Sequence, residues 1–231
     1  MKSILIICLI FPLMVLSQSS FNQAQKLFEE GKFEQSQTIF LALLKKEPSN
    51  LKTNEYLGDI AGQNKSWDEA IKYYGKLKEL KPAEANFYYK YGGAIGMKAL
   101  TVNKFRALGM IDEIKGSFEK TIELDSRHVA ARWALIELYL KLPGIVGGSE
   151  TKAIKYSNEL LKLSPVDGYM SRGRIDEYYK RYKAAELQYK KAIAVGSSAA
   201  SYQMLADLYK NKMGQPEKAK TVLEEFRKKG K

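Results

Sequence analysis

A single cysteine and a single histidine in 231 residues leave little material for metal binding or covalent catalysis. Cys8 lies inside the apolar run Ile4 to Leu16, too early and wrongly flanked for an acylated lipoprotein cysteine. A chain cleaved after it holds no disulfide, thiol nucleophile or sulfur ligand. His128 follows Asp125, Ser126 and Arg127. A metal site needs several convergent ligands and a triad needs a nucleophile held by its base. Neither accompanies His128, which reads as a capping or solvated histidine. No catalytic residue, metal or cofactor is therefore assigned, and the chain is not expected to be an enzyme.

Long apolar runs are also missing. Ile4 to Leu16 is 13 residues, where a membrane-spanning helix needs about 20. Lys2 precedes the run, and the small Ser17 with Gln18 follows it, as in a secretory leader. Residues 1–17 are expected to be removed, leaving 18–231 periplasmic or secreted and not membrane-spanning. Gly144-Ile145-Val146-Gly147-Gly148-Ser149 is glycine-rich, but it lacks the Gly-Lys-Ser/Thr ending of a nucleotide loop and follows no strand. It reads as an inter-helix loop whose Ser149 caps the next helix.

Charge is plentiful and uneven. Lys and Arg number 38 against 26 Asp and Glu, and from Gly168 to the end the count is 15 against seven. These cations alternate with acids and no recognised nucleic-acid motif accompanies them, which argues against nucleic acid as a partner.

The strongest signal is a period of 34 residues, which separates Phe33 from Trp67, Phe40 from Tyr74, and Pro48 from Pro82. Leu57-Gly58 recurs as Tyr91-Gly92, Ala185 as Ala219, and Tyr189 as Leu223. Gly58, Gly92, Gly173 and Ala206 are small residues that let a neighbouring helix approach, while Phe40, Tyr74, Phe118 and Tyr189 are large ones that fill the adjoining space. Ala70, Ala153, Ala185 and Ala219 are small positions in second helices, with Ser36 standing for the usual Ala. Pro48, Pro82 and Pro165 are expected to end helices, since Pro lacks the amide hydrogen a continuing helix needs.

A 34-residue period with Leu-Gly in a first helix, Ala and then an aromatic in a second, and Pro at the end resembles the tetratricopeptide repeat (TPR). The resemblance covers nearly all of 18–231. It implies an all-α, TPR-type right-handed α-solenoid of about six helical hairpins, at about 17–50, 51–84, 85–128, 129–167, 166–199 and 199–228. Two repeats are stretched, around Met97 to Gly109 and at Leu142 to Ser149. The run from Val102 through Phe118 to Ser149 is similar to a subgroup of bacterial envelope repeat proteins that share both insertions and have no established activity.

In this family the first helices line a concave groove. There the core pattern does not demand Tyr56, Tyr89, Lys90, Trp133, Arg174 and Tyr178, which are the candidate partner-binding residues. Aromatic and Arg side chains are the usual anchors of protein interfaces. The Lys, Asn and Arg set with which some of these grooves grip a C-terminal carboxylate is not matched by Gln25, Glu55, Asp59, Tyr89 and Lys90, so no carboxylate clamp is inferred. The expected function is a non-catalytic scaffold or adaptor of the cell envelope, holding a peptide or helix of a protein partner. The alternative is an anionic polymer, a cell-wall or surface glycan or, less favoured, nucleic acid, held by the basic C-terminal repeats.

Overall fold

The computed structural model describes residues 19–229, so the leader reading lies outside the described residues. Among those residues the regular structure is helical: α1 (19–29), α2 (Phe33–Lys46), α3 (Leu51–Gln63), α4 (Trp67–Leu80), α5 (Ala85–Ala99), α6 (Lys104–Leu108), α7 (Ile111–Leu124), α8 (Val129–Lys141), α9 (Glu150–Leu163), α10 (Pro165–Tyr178), α11 (Tyr182–Val195), α12 (Ala199–Asp207) and α13 (Pro216–Lys229). A 3₁₀ turn occupies Gly144–Val146 and a π turn Leu208–Lys212. The chain divides into two compact units, one ending at Lys120 within α7 and the other beginning at Thr121.

In the first unit α1–α2, α3–α4 and α5–α7 form antiparallel hairpins, with α6 inside the third. Its core begins as an aromatic nest in which the rings of Phe40 and Tyr56 stack at 4.8 Å, while Phe21 and Phe28 meet Tyr56 edge-on at 5.8 and 5.1 Å. Fully burying a side chain such as Phe40 contributes about 1.5–3 kcal/mol, and Phe40 is fully buried. Ser36 is buried in its small-residue position, and its hydroxyl donates to the Ala24 carbonyl at 2.8 Å. That bond satisfies the one polar atom an Ala would not have carried.

Small and large residues pair as the sequence implies. A Cβ placed on Gly58 would lie 2.5 Å from Tyr74 Cε1, and one on Gly173 in the second unit 2.4 Å from Tyr189 Cε1. A Cβ on Gly92 would meet Ser117 Cβ at 2.8 Å and Phe118 Cε1 at 3.3 Å. Only a missing side chain allows these approaches. Ala70, Ala153, Ala185 and Ala219 are all buried as well.

The turns between first and second helices carry a second periodicity. Gly31 and Lys65 have φ of 73° and 57°, and Lys180 and Gly214 have 59° and 65°. Within each of these pairs the residues are 34 positions apart, and Gly147, with φ of 101°, lies 33 positions before Lys180. The next amide closes back over the turn in each case, Lys32 to Leu27, Ser66 to Ala61 and Arg181 to Asp176, all at 2.8 Å. This is a Schellman-type helix end, in which a left-handed residue lets an amide satisfy the last carbonyls. After Gly214 the amide of Gln215 reaches Tyr209, one residue further back, because the π turn at Leu208–Lys212 adds a residue.

The second unit stacks α8–α9, α10–α11 and α12–α13, with Tyr139, Tyr156, Tyr189 and Tyr202 buried between helices. Pro165, expected to end a helix, instead opens α10 at its first turn, where the missing amide is no loss. Ser164 caps that helix through the Asp167 amide. Ser149 caps α9 by accepting from the Lys152 amide, as expected of it. His128 is the cap of α8: its Nδ1 accepts from the Ala131 amide at 3.1 Å.

Candidate functional site: the first-helix faces

In the first unit α3 and α5 are successive first helices, and Lys90 joins them. Its Nζ lies 2.7 Å from Glu55 Oε1 and 2.8 Å from Asp59 Oδ1. Asp59 also accepts from the Tyr74 hydroxyl at 2.7 Å. Burial opposes the charge on Lys90, but hydrogen bonds to Asp59 and Glu55 outweigh it and raise its pKa. Burial likewise pushes the Tyr74 phenol well above its ordinary value, with the Asp59 charge adding to the shift. The result is a fixed cation between two carboxylates, half-sheltered on the first-helix side.

Tyr56 is half-buried and belongs to the aromatic nest, which corrects the expectation that no packing requirement accounts for it. The sequence places Tyr56 one turn of helix from Ile60 and hides that Phe21 and Phe28 of α1 come across to meet it. Tyr89 is half-buried too, with its ring 5.8 Å from Phe118. The structure therefore brings Tyr56, Lys90 and Tyr89 onto α3 and α5, with Lys90 ion-paired and both rings in aromatic contact.

The second unit repeats the device with other residues. Arg174 of α10 forms a double contact with Glu137 of α8, Nε to Oε1 at 2.8 Å and NH2 to Oε2 at 3.2 Å. In the other direction Trp133 Nε1 of α8 donates to Asp167 Oδ1 of α10 at 2.8 Å. Asp167 is held in turn by the Ser164 hydroxyl at 2.6 Å. Trp133 is half-buried and spoken for, so it is not the freely presented anchor its place in the sequence suggested.

Tyr178 is different. It is 42% exposed at the end of α10, and Tyr179 beside it is 37% exposed. Their rings sit edge to face at 5.2 Å. Arg174 lies 6.0 Å from the Tyr178 ring centre and Arg181 5.0 Å from that of Tyr179. Arg181 is fixed by Asp176 at 2.8 Å and Glu150 at 2.5 Å. Two tyrosine faces are thus preset between two guanidinium groups, with ring edges and hydroxyls left for a partner. The repeat pattern singles out Tyr178 and Arg174 but not Tyr179 and Arg181. The available signal was the Tyr178-Tyr179-Lys180-Arg181 run at a hairpin turn, which the repeat pattern assigns to no packing role.

A second feature escaped the sequence reading. Between the second helices α2 and α4 lies an open cleft of about 720 Å³ with Leu41, Leu44, Ile71 and Tyr73 in its wall and Lys45, Lys72 and Lys76 around it. Among the described residues no cluster of His, Cys, Asp and Glu could hold a metal ion, and no helix is long and apolar enough to cross a membrane.

Two stretches, residues 21–85 and 200–229, match sequence models described as tetratricopeptide repeat. No curated protein matches the chain in sequence. Among solved structures, a tetratricopeptide repeat protein from Parabacteroides merdae superposes with a TM-score of 0.65 at 15% identity, covering 90% of this chain and 78% of the other. PilW, described as a widely conserved type IV pilus biogenesis factor, gives 0.62 at 16% identity, covering 90% of each chain. YrrB, described as a TPR protein with an unusual peptide-binding site, gives 0.55 at 15% identity over 79% of this chain and 87% of its own. At such identities the likeness concerns the fold. With the 34-residue period, the Gly–Tyr pairs that follow from it and the repeated left-handed turns, these matches show tetratricopeptide repeats at residues 21–85 and 200–229 and a tetratricopeptide-repeat fold.

Proposed function

We propose that this protein is a non-catalytic docking scaffold of the cell envelope, and that its first-helix faces hold a peptide or helix of a protein partner. Tetratricopeptide-repeat proteins generally bind other proteins, and YrrB is described as having an unusual peptide-binding site. The observation that carries the reading is the Tyr178–Tyr179 pair set between Arg174 and Arg181. The two rings are exposed and flanked by ion-paired arginines, which is what an interface anchor requires. Lys90 in the first unit and Trp133 in the second each tie two successive first helices together, so less local ordering is needed when a partner arrives.

The envelope assignment rests on the leader-like composition of residues 1–17, and PilW is itself described as a pilus biogenesis factor. The experiment is photo-crosslinking in the native host, with a photoreactive side chain placed once at Tyr178 and once at Leu187, an exposed residue of second helix α11. The proposal expects one polypeptide captured from Tyr178 and absent from Leu187. Capture of glycan at either position, or of the same proteins at both, would sink it.

A further inference from the structure

The insertion in the third hairpin gathers several exposed large apolar side chains in one short segment. Met97 is 44% exposed, Leu100 70%, Phe105 88% and Leu108 42%. These side chains stand on the end of α5, the following turn and α6, a five-residue helix capped by Asn103, whose Oδ1 accepts from the Arg106 amide. Exposed large apolar residues occur singly on any soluble protein, but a group of them within 12 residues marks an interaction surface.

The charge of the same segment has one sign. Between Glu84 and Asp112 there is no acidic residue, while Lys98, Lys104 and Arg106 fall among the apolar positions. Lys98 is paired with Asp68 of α4. Lys104 and Arg106 are exposed on either side of Phe105. The first acids downstream are occupied, Asp112 by Lys115 at 2.9 Å and Glu113 by the Tyr91 hydroxyl at 2.5 Å.

We propose that this finger docks the protein on the surface of an anionic lipid bilayer. Leu100 and Phe105 enter the boundary between headgroups and acyl chains, and Lys104 and Arg106 pair with lipid phosphates. Short amphipathic elements bind membrane surfaces through this combination of apolar wedge and cationic collar. A ring 88% exposed is a protrusion, and a fluid interface can close around a protrusion from every side. The cationic collar matches lipid headgroups, whereas the partner face of the second unit uses aromatic rings already flanked by ion-paired arginines. The inference is independent of the partner-binding proposal.

The test is local quenching in the full-length chain. The F105W variant is mixed with vesicles of phosphatidylglycerol and phosphatidylcholine whose acyl chains carry bromine, and the native protein with Trp67 and Trp133 supplies the background. The proposal expects F105W to lose about half its added emission on anionic vesicles, and little on phosphatidylcholine alone. L100S, with native circular dichroism, should weaken vesicle binding about tenfold. Association through the apolar run Ile4 to Leu16 or the C-terminal lysines does not move this signal. Absence of excess quenching in F105W would overturn the proposal, whether or not the protein sediments with vesicles. Equal quenching on neutral vesicles would overturn the part given to Lys104 and Arg106. An L100S variant that binds a protein partner less well and vesicles equally well would make the finger a protein-docking surface instead.

Discussion

The indole nitrogen of Trp133 donates a 2.8 Å hydrogen bond to Asp167, 34 residues further along the chain. One repeat period thus separates donor and acceptor, and the bond fastens first helix α8 to first helix α10. Replacing Trp133 by Phe keeps most of the packing and deletes the bond. W133F should lose about 1 kcal/mol of stability, and W133A more, because the half-buried ring is then missing too. Urea denaturation decides this, and an unchanged W133A midpoint would return Trp133 to the status of a free anchor.

Glycines in this fold separate into those that are filled and those that are open. Gly58 faces Tyr74 Cε1 at 2.5 Å, while around Gly116, mid-helix in α7, a Cβ would meet nothing within 4 Å. G58A should destabilise by about 1–3 kcal/mol through overpacking. G116A should stabilise by about 0.5–1 kcal/mol, as Ala does in an exposed helix interior. Thermal melts of the two variants should move in opposite directions.

Lys65 and Lys180 hold the left-handed turn position that Gly31 and Gly214 fill elsewhere. An L side chain at such a φ costs about 1–2 kcal/mol, and glycine's greater freedom in the unfolded chain offsets part of the relief. K65G and K180G should each stabilise by about 0.5 kcal/mol. Denaturation midpoints check it, and a loss in both variants would mean that the lysine side chains contribute more than the turn strain removes.

Burial lowers the pKa of His128, with Arg132 acting in the same direction and Asp125 against it. The unfolded chain then binds more protons than the folded one, so this contribution is fully present above the ordinary histidine value near 6.5 and is lost as pH falls below it. H128N keeps a capping side chain and removes the titration. Between pH 7 and 5 its stability should fall less than that of the native protein, which a pH series of urea midpoints will show.

Much of this architecture is legible in the sequence because it depends on volume. Gly58 and Tyr74 are 16 residues apart, as are Gly173 and Tyr189, and complementary sizes at fixed spacing suffice to place one helix on another. The small side chain at Ser36 and the caps at His128 and Ser149 follow from local chemistry and are read equally directly. Hydrogen-bond partners across repeats are harder to read. Whether Trp133 points into solvent or back to Asp167 depends on a rotamer, and whether Tyr56 is free depends on how α1 lies against α3. Tyr179 and Arg181 were missed because they sit where a helix ends, and there the 3.6-residue periodicity no longer assigns a face.

The docking account is tested most directly by the affinity of the polypeptide captured at Tyr178 for two variants of equal fold, Y178A/Y179A and R227E/K228E. The account predicts that the tyrosine variant loses at least about 2 kcal/mol of binding, with little change in melting because both rings are exposed. Charge reversal at Arg227 and Lys228 should mainly slow association and weaken with added salt. Full affinity in the tyrosine variant, with binding abolished by the charge reversal at every salt concentration, would contradict the account and assign the ligand to the basic C-terminal repeats.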